Sequence, residues 1–162
     1  MLKTSGDPKK PPVRPLLIVL SLCLLLLPPA ADALGTGACS VLGAGIHCSE
    51  YNALDEGGAY MDGWITVKCD AAATVIIAIG PGASGNTVNR TMTMPGANPL
   101  RYNLYTDPAR KRLWGDGTTG AMVTVEVSAN KEVYVPVYGR IDPDQPTSSG
   151  GYSDSPVITP TW

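Results

Sequence analysis

Short alternating runs, separated by turn residues and never joined into a helical period, constrain this chain more than any other feature. Ile65, Val67 and Cys69 alternate with Thr66 and Lys68, the pattern of a strand with one face buried. Val88, Arg90, Met92 and Met94 alternate with Asn and Thr, and Leu100, Tyr102 and Leu104 with Arg101, Asn103 and Tyr105. Val123, Val125 and Val127 repeat the pattern, as do residues 133–138. Residues 74–79 form a continuous apolar and β-branched run, which predicts a strand buried on both faces. A last candidate covers 152–162. Asp62-Gly63 and Asp116-Gly117 can reach the positive φ values of tight hairpins, and Pro81-Gly82, Pro95-Gly96 and Gly150-Gly151 punctuate the rest. Residues 107–112 offer a helical turn or two at most. About seven short strands at this spacing predict an all-β sandwich, with no internal repeat.

The N-terminal stretch reads as an address. Lys3, Lys9, Lys10 and Arg14 form a basic region, residues 16–27 an unbroken apolar run that includes Cys23, and Ala31-Asp32-Ala33 a small-residue cleavage site after Pro28-Pro29. That is the layout of a secretory signal. The run is too short to span a bilayer as a mature anchor, and neither Cys23 nor Cys39 follows a good lipobox. Residues 1–33 are therefore expected to be removed, leaving 34–162 as one domain with a modest core. Of 12 basic and 14 acidic residues, the leader takes four and two, leaving eight against twelve, a net charge of −4. That sign argues against nucleic acid as a partner.

Three cysteines remain, Cys39, Cys48 and Cys69. Export to an oxidising compartment favours pairing, but three cysteines permit three different single bridges and leave one over. With no C-x-x-C and one histidine, a zinc site is not indicated, and a structural disulfide is. The lone histidine, His47, is expected in the loop after the first strand, with no Ser, Asp or Cys in a catalytic arrangement beside it. Asp55-Glu56, Asp142 and Asp144 lack a glycine-anchored calcium loop and read as solvated turns. Trp64, Trp114 and Trp162 could stack on sugars, yet strand and turn positions favour burial. Arg110-Lys111-Arg112 reads as a solvated turn. Nothing here indicates an enzyme, a cofactor or a metal.

A set of ordered landmarks spans 39–162: Trp64-Ile65-Thr66-Val67-Lys68-Cys69, Asn89-Arg90-Thr91-Met92, and Leu100-Arg101-Tyr102-Asn103-Leu104-Tyr105-Thr106-Asp107. Trp114-Gly115-Asp116-Gly117, Tyr138-Gly139-Arg140-Ile141 and Gly151-Tyr152-Ser153-Asp154 follow. In this order they resemble the spore coat protein U domain, the domain of archaic chaperone–usher pilins. The resemblance implies an immunoglobulin-like sandwich lacking its final strand, a Cys39–Cys69 disulfide, and an acceptor-groove strand containing Val157, Ile158, Thr159 and Trp162. The chain's end at Trp162 agrees with that expectation. It also implies a periplasmic pilus chaperone, an outer-membrane usher and neighbouring pilin subunits as partners. The protein would pass through the periplasm to the cell surface, as a pilus subunit in adhesion and biofilm formation.

Three departures qualify this. The stretch 34–38 is too short and glycine-rich to serve as a donor strand of about ten residues. Pro156 and Pro160 lie in the last strand, where they cannot donate to a ladder; the open edge is the side on which the fold tolerates them. Cys48 and Ser49 replace an aromatic residue and a glycine common in the family. Cys48 reads most simply as a buried free thiol, with an intermolecular disulfide as the alternative. The resulting expectation is a terminal or non-propagating subunit that receives a strand. The alternative is a spore-coat or surface-layer protein of the same fold that forms no donor-strand fibre.

Overall fold

The computed structural model describes residues 37–48 and 50–162; the expected leader, 1–33, lies outside them. Eight strands follow in order: β1 Cys39–His47, β2 Ala59–Cys69, β3 Ala73–Ile79, β4 Arg90–Met92, β5 Leu100–Tyr105, β6 Val123–Val127, β7 Glu132–Ile141 and β8 Ile158–Thr161. All the strand pairs are antiparallel. They form a five-stranded sheet, β1-β2-β7-β5-β4, and a three-stranded sheet, β6-β3-β8. The only helical element among the described residues is a single 3-10 turn at Gly82–Ser84. The sandwich expected from the alternating runs is thus the architecture found.

Alternation fixes what each sheet buries, because successive side chains on a strand point to opposite faces. Ile65 and Val67 of β2, Leu104 of β5, and Val135 and Val137 of β7 turn inward from the larger sheet. Val75, Ile77 and Ile79 of β3 and Val127 of β6 meet them from the smaller one. Trp114, fully buried, fills one end of this core. The Cys39–Cys69 disulfide ties the start of β1 to the end of β2, across directly opposed residues. Between Val41 and Gly43 the β1 register shifts, a bulge that leaves Leu42 exposed.

Several expectations are corrected. β3 is buried on one face only: Val75, Ile77 and Ile79 face the core while Ile76 is 36% exposed. The smaller sheet has nothing packed on its outer side among the described residues, so a continuous apolar run still ends up half wet. Asp62-Gly63 is not a turn but the middle of β2, with Gly63 paired to Ile46 on one side and Val137 on the other. Glycine is needed there because a Cβ would run into the Gly45 carbonyl. The alternation across 88–94 yields only the three residues of β4, with Thr93 bridging to Ser153. His47 ends β1 rather than sitting in a loop. The stretch 152–162 begins as that bridge to Thr93, and only its last part forms β8.

Candidate functional site

β1 is paired on one side only, to β2, and β8 on one side only, to β3. Between these two edges lies a cleft of about 410 Å³. Ala44, Gly45 and Ile46 of β1 form one bank, and residues 153–156 with Ile158 the other. Met61, Met92, Tyr102, Leu104 and Tyr152 line the rest. A narrow continuation of about 30 Å³ runs on between Ile65, Ile79 and Val137, so the cleft reaches the main core. In a seven-stranded immunoglobulin sandwich the smaller sheet carries a last strand beside its sixth. β8 has no such neighbour among the described residues, and its far edge is open.

The cleft owes its shape to two polar clamps made from residues distant in sequence. The Tyr102 hydroxyl donates to Asp154 Oδ2 at 2.7 Å, and Asp154 Oδ1 accepts the Ala83 N–H at 2.9 Å. Burial first, then Asp154, pushes the Tyr102 hydroxyl well above the usual phenol range, so it remains a donor. Arg90 is fully buried and donates to four backbone carbonyls: Gly80 at 2.9 Å, Thr87 at 3.1 Å, Ile79 at 2.8 Å and Trp114 at 3.0 Å. Burial lowers its basicity, while Tyr102, Asp154 and Asp116 act the other way. Trp114 in turn donates its indole N–H to the Ile77 carbonyl at 3.0 Å.

The sequence landmarks therefore divide into groups. Arg90, Tyr102, Trp114 and Asp154 form one connected region, Arg90 and Trp114 behind the cleft and Tyr102 and Asp154, with Leu104 and Tyr152, on its lining. Gly115, Asp116 and Gly117 close the turn beyond Trp114. Gly117 has φ +88° and Asp116 Oδ1 accepts the Thr118 and Thr119 amides, both at 2.9 Å. Gly139 faces inward, where a Cβ would collide with the Met61 side chain of the cleft. Tyr138 next to it lies elsewhere, on the outer face of β7. There Arg110 lies 4.3 Å above the Tyr60 ring and 5.8 Å from that of Tyr138, donating to the Gly139 carbonyl at 2.9 Å. Arg110 also pairs with Asp62 at 2.7 Å, which corrects its reading as part of a solvated turn. Tyr105 bridges to Leu113. Gly151 has open space where a Cβ would go, and nothing in the structure explains it.

Of the residues expected on the acceptor-groove strand, Ile158 turns into the cleft, Val157 and Thr159 point to solvent, and Trp162 is exposed. Trp64, expected to bury its ring, is 55% exposed, opposite Gly45 and Pro136. Ala44, Gly45 and Ile46 carry the first bank; the sequence predicts a first strand ahead of His47, but its glycine-rich run carries no alternation that would mark these residues as lining. Cys48 is half-buried, not fully so; its Sγ lies 3.7 Å from the Glu50 carbonyl, and burial pushes the thiol up. Among the described residues no group of three or more metal-ligating side chains comes together, and no helix is long and apolar enough to cross a membrane.

Comparison with known proteins agrees with this architecture. The model of the Spore Coat Protein U domain matches residues 29–159. Protein U of Myxococcus xanthus is 30% identical over 142 residues, covering 78% of this chain and 78% of that protein. Among solved structures, the chaperone–tip adhesion subunit pre-assembly complex CsuC–CsuE, from archaic chaperone-usher Csu pili of Acinetobacter baumannii, is similar in fold. Its TM-score is 0.55 at 15% identity, over 78% of this chain and 40% of that one. With four-fifths of its length matched, the chain belongs to the Spore Coat Protein U domain family.

Proposed function

We propose that this protein is a non-catalytic structural subunit of a secreted surface assembly, of the archaic chaperone–usher pilus type, and that it accepts a partner's β-strand. The observation that carries the reading is the apolar cleft held open between the free edges of β1 and β8. An added strand satisfies an edge through main-chain hydrogen bonds, while its alternate side chains fill the pockets beneath. An edge left open is a template for aggregation, so a subunit of this kind needs a periplasmic chaperone until a neighbouring pilin subunit takes over, with an outer-membrane usher at the point of exchange. The pilus complex similar in fold, itself named as a chaperone with a tip adhesion subunit, supports that set of partners. Cleavage after Ala33 would leave 34–38 ahead of Cys39, too short to reach another subunit. That argues for a terminal or non-propagating place, and the pilus reading adds a role in adhesion and biofilm formation.

A second reading takes its support from the family's description as a Spore Coat Protein U domain: a spore-coat or surface-layer protein of the same fold that forms no donor-strand fibre. One isolation separates the two. The affinity-tagged mature protein is recovered from the periplasm of its host and whatever co-purifies is identified. A one-to-one complex with an immunoglobulin-like chaperone is the expected result. A stable, soluble monomer with no chaperone bound would hand the account to the coat-protein reading.

A further inference from the structure

The register between β3 and β8 determines which backbone groups of β8 face the open side. Ile79 opposes Ile158, Ala78 opposes Thr159, Ile77 opposes Pro160 and Ile76 opposes Thr161. One step further along the same register, the Gly80 N–H donates to the Val157 carbonyl at 2.8 Å. Bonded and unbonded pairs alternate along an antiparallel ladder. The bonded pairs are therefore Gly80–Val157, Ala78–Thr159 and Ile76–Thr161. The Ile79 N–H agrees, since it turns away from β8 and donates to Gly115 at 2.9 Å. Ile158 and Pro160 thus present their backbone nitrogen and carbonyl to the free edge. Pro156 shares their phase, because half-buried and exposed residues alternate without a break from Tyr152 to Thr161. Proline has no N–H. Of three successive outward positions, only Ile158 can donate.

We infer that Pro156 and Pro160 are the specificity determinants of the cleft: they leave Ile158 as the one donor of three outward positions along β8 and the residues before it, so that a strand is retained there only when its side chains fill the cleft. The inference rests on the strand-accepting reading above. Main-chain hydrogen bonding is indifferent to sequence, and an edge with its full complement of donors pairs with any extended segment, including the same edge of a second copy. Proline on an edge is one of the devices that suppress such pairing. Beyond the Ile158 N–H and the outward carbonyls, what holds a strand is insertion against Met61, Met92 and Leu104. The occupant is accordingly an extended segment of a different chain with apolar residues at alternate positions.

The test compares the wild-type mature protein with Pro156→Val/Pro160→Val and with Pro156→Val alone. The probe is a fluorescent ten-residue peptide of alternating valine and threonine; self-association is followed by sedimentation. Two restored hydrogen bonds slow peptide release by about tenfold to thirtyfold in the double variant and by about threefold to fivefold in the single one. The double variant also self-associates at concentrations where the wild type is monomeric. Peptide held by the double variant alone supports the inference as well. Equal release rates with equal monomeric behaviour overturn it, and the strand-accepting reading stands because the peptide is bound. Failure of all three proteins to bind the peptide overturns both. The single variant, judged folded by its circular dichroism, decides the matter if the double one does not fold.

Discussion

Arg90 carries a full positive charge with no exposed surface, yet its four hydrogen bonds all go to backbone carbonyls and none to an acid. It therefore works less as half of an ion pair than as a peg that fixes the end of β3, the loop at Thr87 and the Trp114 turn together. Hydrogen bonds from a charged donor are stronger than neutral ones, and carbonyls left buried without a partner are costly. Arg90→Met is expected to lower unfolding stability by about 3 kcal/mol or more, read from denaturant midpoints. Arg90→Lys does not rescue it, because an ammonium lacks the planar fork that spans these acceptors. Asp107 and Asp116 act at the surface. Asp107 Oδ1 accepts the Arg112 amide at 2.6 Å and the Lys111 amide at 3.2 Å, and these bonds, like those of Thr119 and Thr118 to Asp116, hold both carboxyls below their ordinary 3.8. A depressed carboxyl stabilises the fold above its unfolded pKa and ceases to as pH falls through the folded one. Protection of the Arg112 and Thr119 amides, corrected for the intrinsic pH dependence of exchange, should hold through the ordinary carboxyl range and be lost only at lower pH. Asp107→Asn should remove that pH dependence at Lys111 and Arg112 while leaving Thr119 as it was. From sequence, Arg90 was one of several residues in an alternating run; its acceptors lie up to 24 residues away, and no local pattern names them.

At the scale of elements, the Cys39–Cys69 bridge does what the sheet cannot do for itself, since β1 is an edge strand with a bulge and two glycines. Closing a loop with a sequence separation of 30 constrains the unfolded chain by about 3–4 kcal/mol in the loop-entropy model, against typical net stabilities of about 5–15 kcal/mol. Reduction, or Cys39→Ala with Cys69→Ala, should lower the denaturant midpoint accordingly and release β1 first. Amide exchange at residues 40–47 should rise before that at β7. Strands with clean alternation and a buried face, β5, β6 and β7, were legible in the sequence. β2 was only half legible, because Asp62-Gly63 carries the chemistry of a turn while pairing with β1 on one side and β7 on the other runs straight through it. β3 misled in the opposite sense. Its unbroken apolar run states that side chains are hydrophobic on both faces, not that anything covers the second face.

Across the whole molecule, the landmarks used to place the chain in its family supply both the supports of the cleft and part of its lining, where Met92, Tyr102, Leu104, Tyr152 and Asp154 all appear. Arg90 and Trp114 meet behind it, and Tyr102 bonds Asp154 on its wall, from four separate stretches of sequence. The first bank and the floor at Ala44, Gly45, Ile46 and Met61 come instead from residues whose side chains carry no distinctive chemistry and which acquire meaning only when the two sheets are packed. The measurement that tests the central claim most directly is hydrogen–deuterium exchange on the mature protein, free and in complex with the chaperone that co-purifies with it. Protection on binding is expected in residues 44–46 and at Ile158, on the two banks of the cleft, with the outer face around Tyr60 and Trp64 unchanged. Protection confined to that outer face, with β1 and β8 exchanging as in the free protein, would contradict the account.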